Sequence, residues 1–180
     1  VEFIDLPDAE AWASWLERGE AAEAWLRIGK ARSLAGRLRI GPALETALCF
    51  GWIDGQRKAL DEDSFLQRFT PRRKGSAWSL RNRETVERLA AEGRMRPAGL
   101  AEVEAARADG RWDAAYAGQR DAETPAELAA ALAAYPAAAA AFAALGRSER
   151  YTLALPVLKA RTAEARERAA ARLAGRLAKG

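Results

Sequence analysis

Residues 51–69 alternate three extended segments with very short polar connections, and that spacing constrains the fold more than any other feature of the chain. Segments 51–53, 56–60 and 65–69 read as strands, joined by Asp54-Gly55 and by Asp61-Glu62-Asp63-Ser64. Connections this short admit only antiparallel neighbours, because a parallel crossover needs about a dozen residues or more. Asp54-Gly55 also offers the positive φ that a tight hairpin turn demands. The expectation is a small antiparallel meander, followed by a basic loop from Arg72 to Gly75.

Upstream, Phe3-Ile4 reads as a short strand, and Pro7-Asp8 opens an amphipathic helix with Trp12, Trp15 and Leu16 at helical spacing and Gly19 at its end. Residues 24–30 alternate as a strand with either Trp25 or Leu26 inward. A Gly/Arg-rich loop is expected over 33–41, and a helix from Pro42 through Phe50.

Beyond Gly75 the apolar period is helical to the end of the chain. The first of these helices takes Ser79 or Asn82 as its cap, buries Val86 and Leu89, pairs Glu84 with Arg88 and stops at Gly93. The next runs from Pro97 to about Asp109 with Leu100, Val103 and Ala106 inward, and Gly110 ends it. Trp112 begins a turn or linker, and the polar stretch 117–124 is the best internal boundary. Further helices start at Pro125, Pro136, Ser148 and Thr162; the last has an apolar stripe of Ala165, Ala169, Leu173 and Leu177 beside a basic edge of Arg168, Arg172, Arg176 and Lys179. The expected fold is α+β, a small antiparallel sheet with N-terminal helices followed by a mostly helical C-terminal half. Residues 1–116 would form the α+β core with the hairpin and basic loop, and 117–180 a helical C-terminal subdomain.

No histidine occurs in the 180 residues, which excludes Ser-His-Asp triads, Cys-His dyads, HExxH zinc sites and histidine phosphotransfer. Carboxylate, Lys, Tyr, Ser/Thr and Cys49 chemistry remains, but no nucleophile and base stand in a recognisable arrangement. No catalytic residue, metal site or cofactor is therefore expected, and an enzyme is the weakest reading. Cys49, between Leu48 and Phe50, reads as a core residue, and a single cysteine builds no disulfide framework, which fits a reducing cytoplasm. No segment approaches the roughly 18–20 apolar residues of a membrane span. Neither a basic start nor an apolar run marks the first residues as a signal peptide. A cytoplasmic protein without membrane insertion is expected.

Charge is unevenly spread around the net +4: residues 1–30 carry seven acids against three bases, 56–96 six against eleven, and 147–180 three against nine. The middle region supplies the candidate binding residues. Thr70-Pro71-Arg72-Arg73-Lys74-Gly75-Ser76 places two guanidinium forks, a flexible glycine and a hydroxyl where phosphate or carboxylate would bind, although neither a Walker A loop nor a GxGxxG turn is present. Trp52 and Trp78 bracket this region and either stack on a planar ligand or fill the core. Asp54 is either a functional carboxylate or simply a turn residue, and Arg57 and Lys58 point to opposite faces of the return strand. The candidate ligand-binding set is Trp52, Asp54, Arg57, Arg72, Arg73, Ser76, Trp78 and Asn82, lining a cleft between the hairpin and the helix after Trp78. The partner expected there is a small-molecule or peptide ligand. The alternative is sequence-tolerant binding of nucleic acid by the basic regions, with the salt dependence that phosphate contacts impose.

The block Ala47-Leu48-Cys49-Phe50-Gly51-Trp52-Ile53-Asp54 resembles the YdeI/OmpD-associated, bacteriocin-protection proteins. So do Trp25-Leu26 with Lys30, Phe69-Thr70-Pro71-Arg72, Ser76-Ala77-Trp78-Ser79 with Asn82, and Arg150-Tyr151 followed by Lys159 to Arg166. The resemblance implies a small bacterial protein linked to bacteriocin protection and stress tolerance, with no catalytic residues to carry over. Two departures stand out: residues 36–41 replace a segment that is usually aromatic and acidic, and Arg161 follows Ala160 where the family tends to show lysine. The first of them alters what would enter a cleft near Trp52.

Overall fold

The computed structural model describes residues 2–19, 21–31 and 36–179, which form eight helices and one three-stranded antiparallel sheet. The fold is α+β. Two compact units divide it, the first comprising Val1–Ser76 and Asn82–Asp109, the second Ala77–Arg81 and Gly110–Gly180.

In the first unit, α1 (Ala9–Glu17) starts where the Asp8 carboxylate accepts the Ala11 N–H at 2.9 Å, satisfying one of the free amides of the first turn. Trp12 and Leu16 are its buried face. β1 (Ala24–Gly29) pairs with β3 (Ser64–Pro71), which pairs in turn with β2 (Trp52–Ala59), giving the order β1-β3-β2. Phe3-Ile4 contributes one bridge rather than a strand: the Ile4 N–H donates to the Trp25 carbonyl and the Ile4 carbonyl accepts from the Arg27 N–H, along the open edge of β1. Both Trp25 and Leu26 are buried, so β1 is covered on its two faces. α2 (Ile40–Cys49) lies against α1 and β2 and closes the apolar core of Trp12, Leu26, Ile28, Ala43, Ala47, Trp52 and Phe69. The loop expected over 33–41 lies partly outside the described residues, and its last two positions, Ile40 and Gly41, already belong to α2.

Asp54-Gly55 does not turn the chain. β2 runs through it, and the hairpin turn lies at residues 60–63. Gly55 and Gln56 stand together opposite Arg68 as a bulge, because the register shifts by one residue between Asp54 and Arg57. Gln67 explains why the strand continues. Only 2% exposed, its side-chain Nε2 donates to the Gly55 carbonyl at 2.9 Å and to the Gln56 carbonyl at 3.3 Å, meeting groups that the bulge removes from the ladder.

The 60–63 turn is held by Asp61, whose Oδ1 accepts from Ser64 Oγ at 2.7 Å and from the Asp63 N–H at 3.0 Å, while Oδ2 accepts from Arg27 Nη2 at 2.6 Å. The Ser64 hydroxyl, followed by Arg27 and the turn amides, holds the Asp61 carboxyl at about 2, down from 3.8. The folded state thus binds this proton less readily than the unfolded chain, so the contribution is complete above about pH 4 and disappears as pH falls through about 2. Thermal unfolding of wild type and Asp61→Asn across that range is expected to show a gap that narrows steadily with acid. A gap independent of pH would remove this role.

α3 (Leu80–Ala91) buries Val86 and Leu89 and ends at Gly93, whose φ of 69° lets its own N–H reach the Ala90 carbonyl and the Arg94 N–H reach that of Leu89. Arg88 pairs with Glu92 and with Glu45 of α2 rather than with Glu84. α4 (Pro97–Ala108) buries Gly99, Val103 and Ala106, and Leu100 is 42% exposed instead of inward. Gly99 sets that rotation, because its bare Cα lies against the last carbonyls of α2.

The second unit gathers α5 (Ala126–Ala133), α6 (Pro136–Ala144) and α7 (Arg147–Leu158) around α8 (Ala163–Leu177). Thr162 Oγ1 caps α8 by accepting the Ala165 N–H at 3.2 Å. The buried stripe is Ala169, Ala170, Leu173 and Ala174, and its small residues let three helices approach one axis. Ala165 and Leu177, expected on that stripe, are half-buried at its ends. Trp78 and Trp112 are both buried here, edge to face at 4.9 Å, so Trp112 packs its ring although it lies in a turn.

Candidate functional site

Of the residues read as a ligand site, Trp78 falls in the second unit and the others in the first. Trp52 is a core residue, edge-on to Trp12 and to Trp15 with ring centres 6.0 Å away in both cases. Asp54 and Arg57 are exposed on β2 on either side of the bulge, and the Arg57 guanidinium lies 4.0 Å above the Phe65 ring with Nε donating to Gln67 Oε1 at 3.3 Å. Lys58, on the other face as expected, sits over Trp25 at 4.5 Å. Arg72 is buried and donates from Nη1 to Ser76 Oγ at 3.2 Å, while Arg73 is exposed and its carbonyl accepts the Ser76 N–H. Those two contacts bring Arg72, Arg73 and Ser76 together as one folded turn. Asn82 is half-buried in the first turn of α3, and Trp78 belongs to the second unit with Trp112.

A cleft of about 390 Å³ within the first unit is bordered by Glu10, Thr46, Cys49, Phe50, Arg94 and Arg96. Its cations are already committed: Arg94 pairs with Glu45 and Glu92, and Arg96 with Glu17. Burial pushes the Cys49 thiol up, so at the floor of this cleft it remains a protonated, packed residue.

The cleft of the second unit, about 340 Å³, is chemically different. Its floor is Phe142, Ala154 and Leu158, one wall is the irregular segment with Gln119, Ala122, Glu123 and Thr124, and the other is the start of α7 with Arg147, Arg150 and Tyr151. Three helical residues face one way because Arg147 and Arg150 are three apart and Arg147 and Tyr151 four apart. The helix begins at Gly146, whose N–H is accepted by Glu149 Oε2 at 3.0 Å. Two bonds tie the walls together: Tyr151 Oη donates to the Ala117 carbonyl at 3.3 Å, and Arg147 donates to the Arg120 carbonyl. Burial pushes the Tyr151 phenol up, which keeps it a neutral donor at pH 7. Neither Arg150 nor Glu123 makes an ion pair or a side-chain hydrogen bond among the described residues. One uncommitted cation and one uncommitted anion therefore border a mainly apolar hollow. No group of His, Cys, Asp and Glu among the described residues could hold a metal ion.

Residues 4–102, more than half of the chain, match a family model described as a domain of unknown function (DUF8412). Residues 121–180 match one described as Bacteriocin-protection, YdeI or OmpD-Associated. The chain belongs to the DUF8412 family, and its C-terminal part is similar to the YdeI/OmpD-associated proteins. No curated protein and no solved structure matches it. The YdeI/OmpD-associated match holds Arg150-Tyr151 and Lys159 to Arg166, with α5 to α8 and most of the cleft lining. The blocks around Trp52, Phe69 and Trp78 fall within the DUF8412 match instead, so the resemblance drawn over most of the sequence narrows to the C-terminal part.

Among the described residues no helix is long and apolar enough to cross a membrane. Of this cleft's lining, Arg150-Tyr151 stood in the sequence only as part of the family resemblance, and Arg147, Glu123 and Thr124 were not among the candidate residues. The three-and-four spacing of Arg147, Arg150 and Tyr151 on one helix was the available signal.

Proposed function

We propose that this chain is a non-enzymatic, cytoplasmic binding protein for a small or peptidic ligand, acting in stress tolerance or in bacteriocin protection, the second of which is in the family description of its C-terminal part. The observation that carries the reading is the pairing of uncommitted Arg150 and Glu123 across an apolar floor. A guanidinium takes a carboxylate through two parallel hydrogen bonds, Thr124 adds a hydroxyl, and Phe142 and Leu158 take an apolar body. Glu123 suits an ammonium on the same molecule, which favours amino-acid or peptide ligands over phosphates.

The test is an NMR titration of isotope-labelled protein with N-acetyl-leucine and with N-acetyl-leucinamide, which share the body and differ in the carboxylate. Shifts centred on residues 119–124 and 147–158 are expected with the acid, about tenfold weaker with the amide, and about tenfold weaker in Arg150→Ala. Equal response to both probes, or shifts unchanged by Arg150→Ala, would sink the reading.

A further inference from the structure

Independently of the cleft, and sharing no residue with it, α7 and α8 form a second concavity of about 320 Å³ lined by Leu153, Pro156, Ala169, Arg172, Leu173 and Arg176. We infer that this groove and the arginine row beside it are a docking surface for an acidic amphipathic helix of a partner protein. Arg168, Arg172 and Arg176 are exposed and succeed one another at four-residue intervals, one helical turn at a time. Among the described residues none of the three makes an ion pair or a side-chain hydrogen bond. Five other arginines of the same fold are committed: Arg27, Arg68, Arg88 and Arg94 each hold a carboxylate, and on α8 itself Arg166 pairs with Glu127 at 2.5 Å. The two acids of α8, Glu164 and Glu167, both precede the row, and Glu164 is engaged at the helix start with Thr162.

Two features choose the occupant. The cations repeat about every 6 Å along the helix, the interval at which carboxylates four residues apart stand on a partner helix. The hollow they border is apolar, with Leu153, Ala169 and Leu173 in its lining and Pro156 contributing no backbone N–H. An acidic helix lying alongside would place aliphatic side chains in the groove and its carboxylates against the row, the helix-in-groove mode of recognition. A nucleic-acid strand would meet the arginines but has no aliphatic groups for the groove.

Fluorescence anisotropy on the full chain decides it with three labelled probes: a synthetic helical peptide with glutamates at four-residue spacing beside a leucine stripe, the same peptide with glutamine for leucine, and a single-stranded oligonucleotide. The leucine peptide is expected to bind, the glutamine peptide to bind about tenfold more weakly, and Arg172→Glu/Arg176→Glu to weaken the leucine peptide by about tenfold. That variant changes exposed positions, and its circular dichroism and melting curve confirm folding. A lysine version of the leucine peptide should bind the reversed variant better than it binds wild type. Failure of the leucine peptide to bind, equal binding of the glutamine peptide, or tighter binding of the oligonucleotide would each overturn the inference.

Discussion

Trp12→Ala is expected to cost the protein about 3–5 kcal/mol, the range for deleting a large buried aromatic. Trp12 is fully buried, and its ring stands 5.1 Å from Trp15, 6.0 Å from Trp52 and 5.7 Å from Phe69. Its indole Nε1–H donates to the Ala43 carbonyl at 3.2 Å, so one side chain links α1, α2 and the core face of the sheet. Truncation would leave a cavity walled by rigid rings, which close inward poorly, so the cost should sit high in the range. Domains of this kind carry about 5–15 kcal/mol in total, and the loss would consume much of that. Urea unfolding gives the measurement, and a loss below about 1 kcal/mol would show that the aromatic cluster does not organise the first unit.

Gly99→Ala is expected to destabilise by about 1–3 kcal/mol, against the usual sign for this change inside a helix. Helix propensity alone would favour alanine by about 1 kcal/mol. Here a Cβ would fall 2.2 Å from the Cys49 carbonyl oxygen, 2.8 Å from its carbon and 2.9 Å from the Leu48 oxygen. All three atoms are backbone at the end of α2, and the Cys49 carbonyl also accepts the Arg96 N–H at 3.0 Å, so yielding would move both helices. The steric term wins. Gly175 in α8 is the control, since a Cβ there meets nothing within 4 Å, and Gly175→Ala should stabilise modestly. Two substitutions of one kind with opposite signs separate close packing from propensity, and equal signs would refute the role given to Gly99.

Local chemistry announced most of the fold. Asp8 and Thr162 cap helices as their side chains require, Gly93 and Gly110 end them with positive φ, and the prolines at 97 and 136 open them. What went unread depends on distant partners. Asp54-Gly55 has the composition of a turn, but Gln67 from the neighbouring strand supplies the hydrogen bonds that let β2 pass through it. Leu100 has the period of a core residue, but the approach at Gly99 turns the helix so that it faces outward. Arg88 has a glutamate four residues before it and takes Glu92 and Glu45 instead, the second from another helix.

The candidate site was less legible for the same reason. Arg72 and Ser76 read as neighbours and are hydrogen-bonded, and Trp52 carries the aromatic core. The cleft of the second unit needs residues 119–124, which have no periodicity, folded against one face of α7. Sequence spacing could set Arg147, Arg150 and Tyr151 on one side of a helix, and only the fold brings Glu123 to them.

The proposed ligand is tested most directly by native followed by denaturing mass spectrometry of untagged protein isolated gently from its host, wild type and Arg150→Ala side by side. A discrete non-covalent mass on the wild type, released on denaturation and absent from Arg150→Ala, is the predicted result. The same mass on both proteins, or on neither, would contradict a ligand held by Arg150 in this cleft.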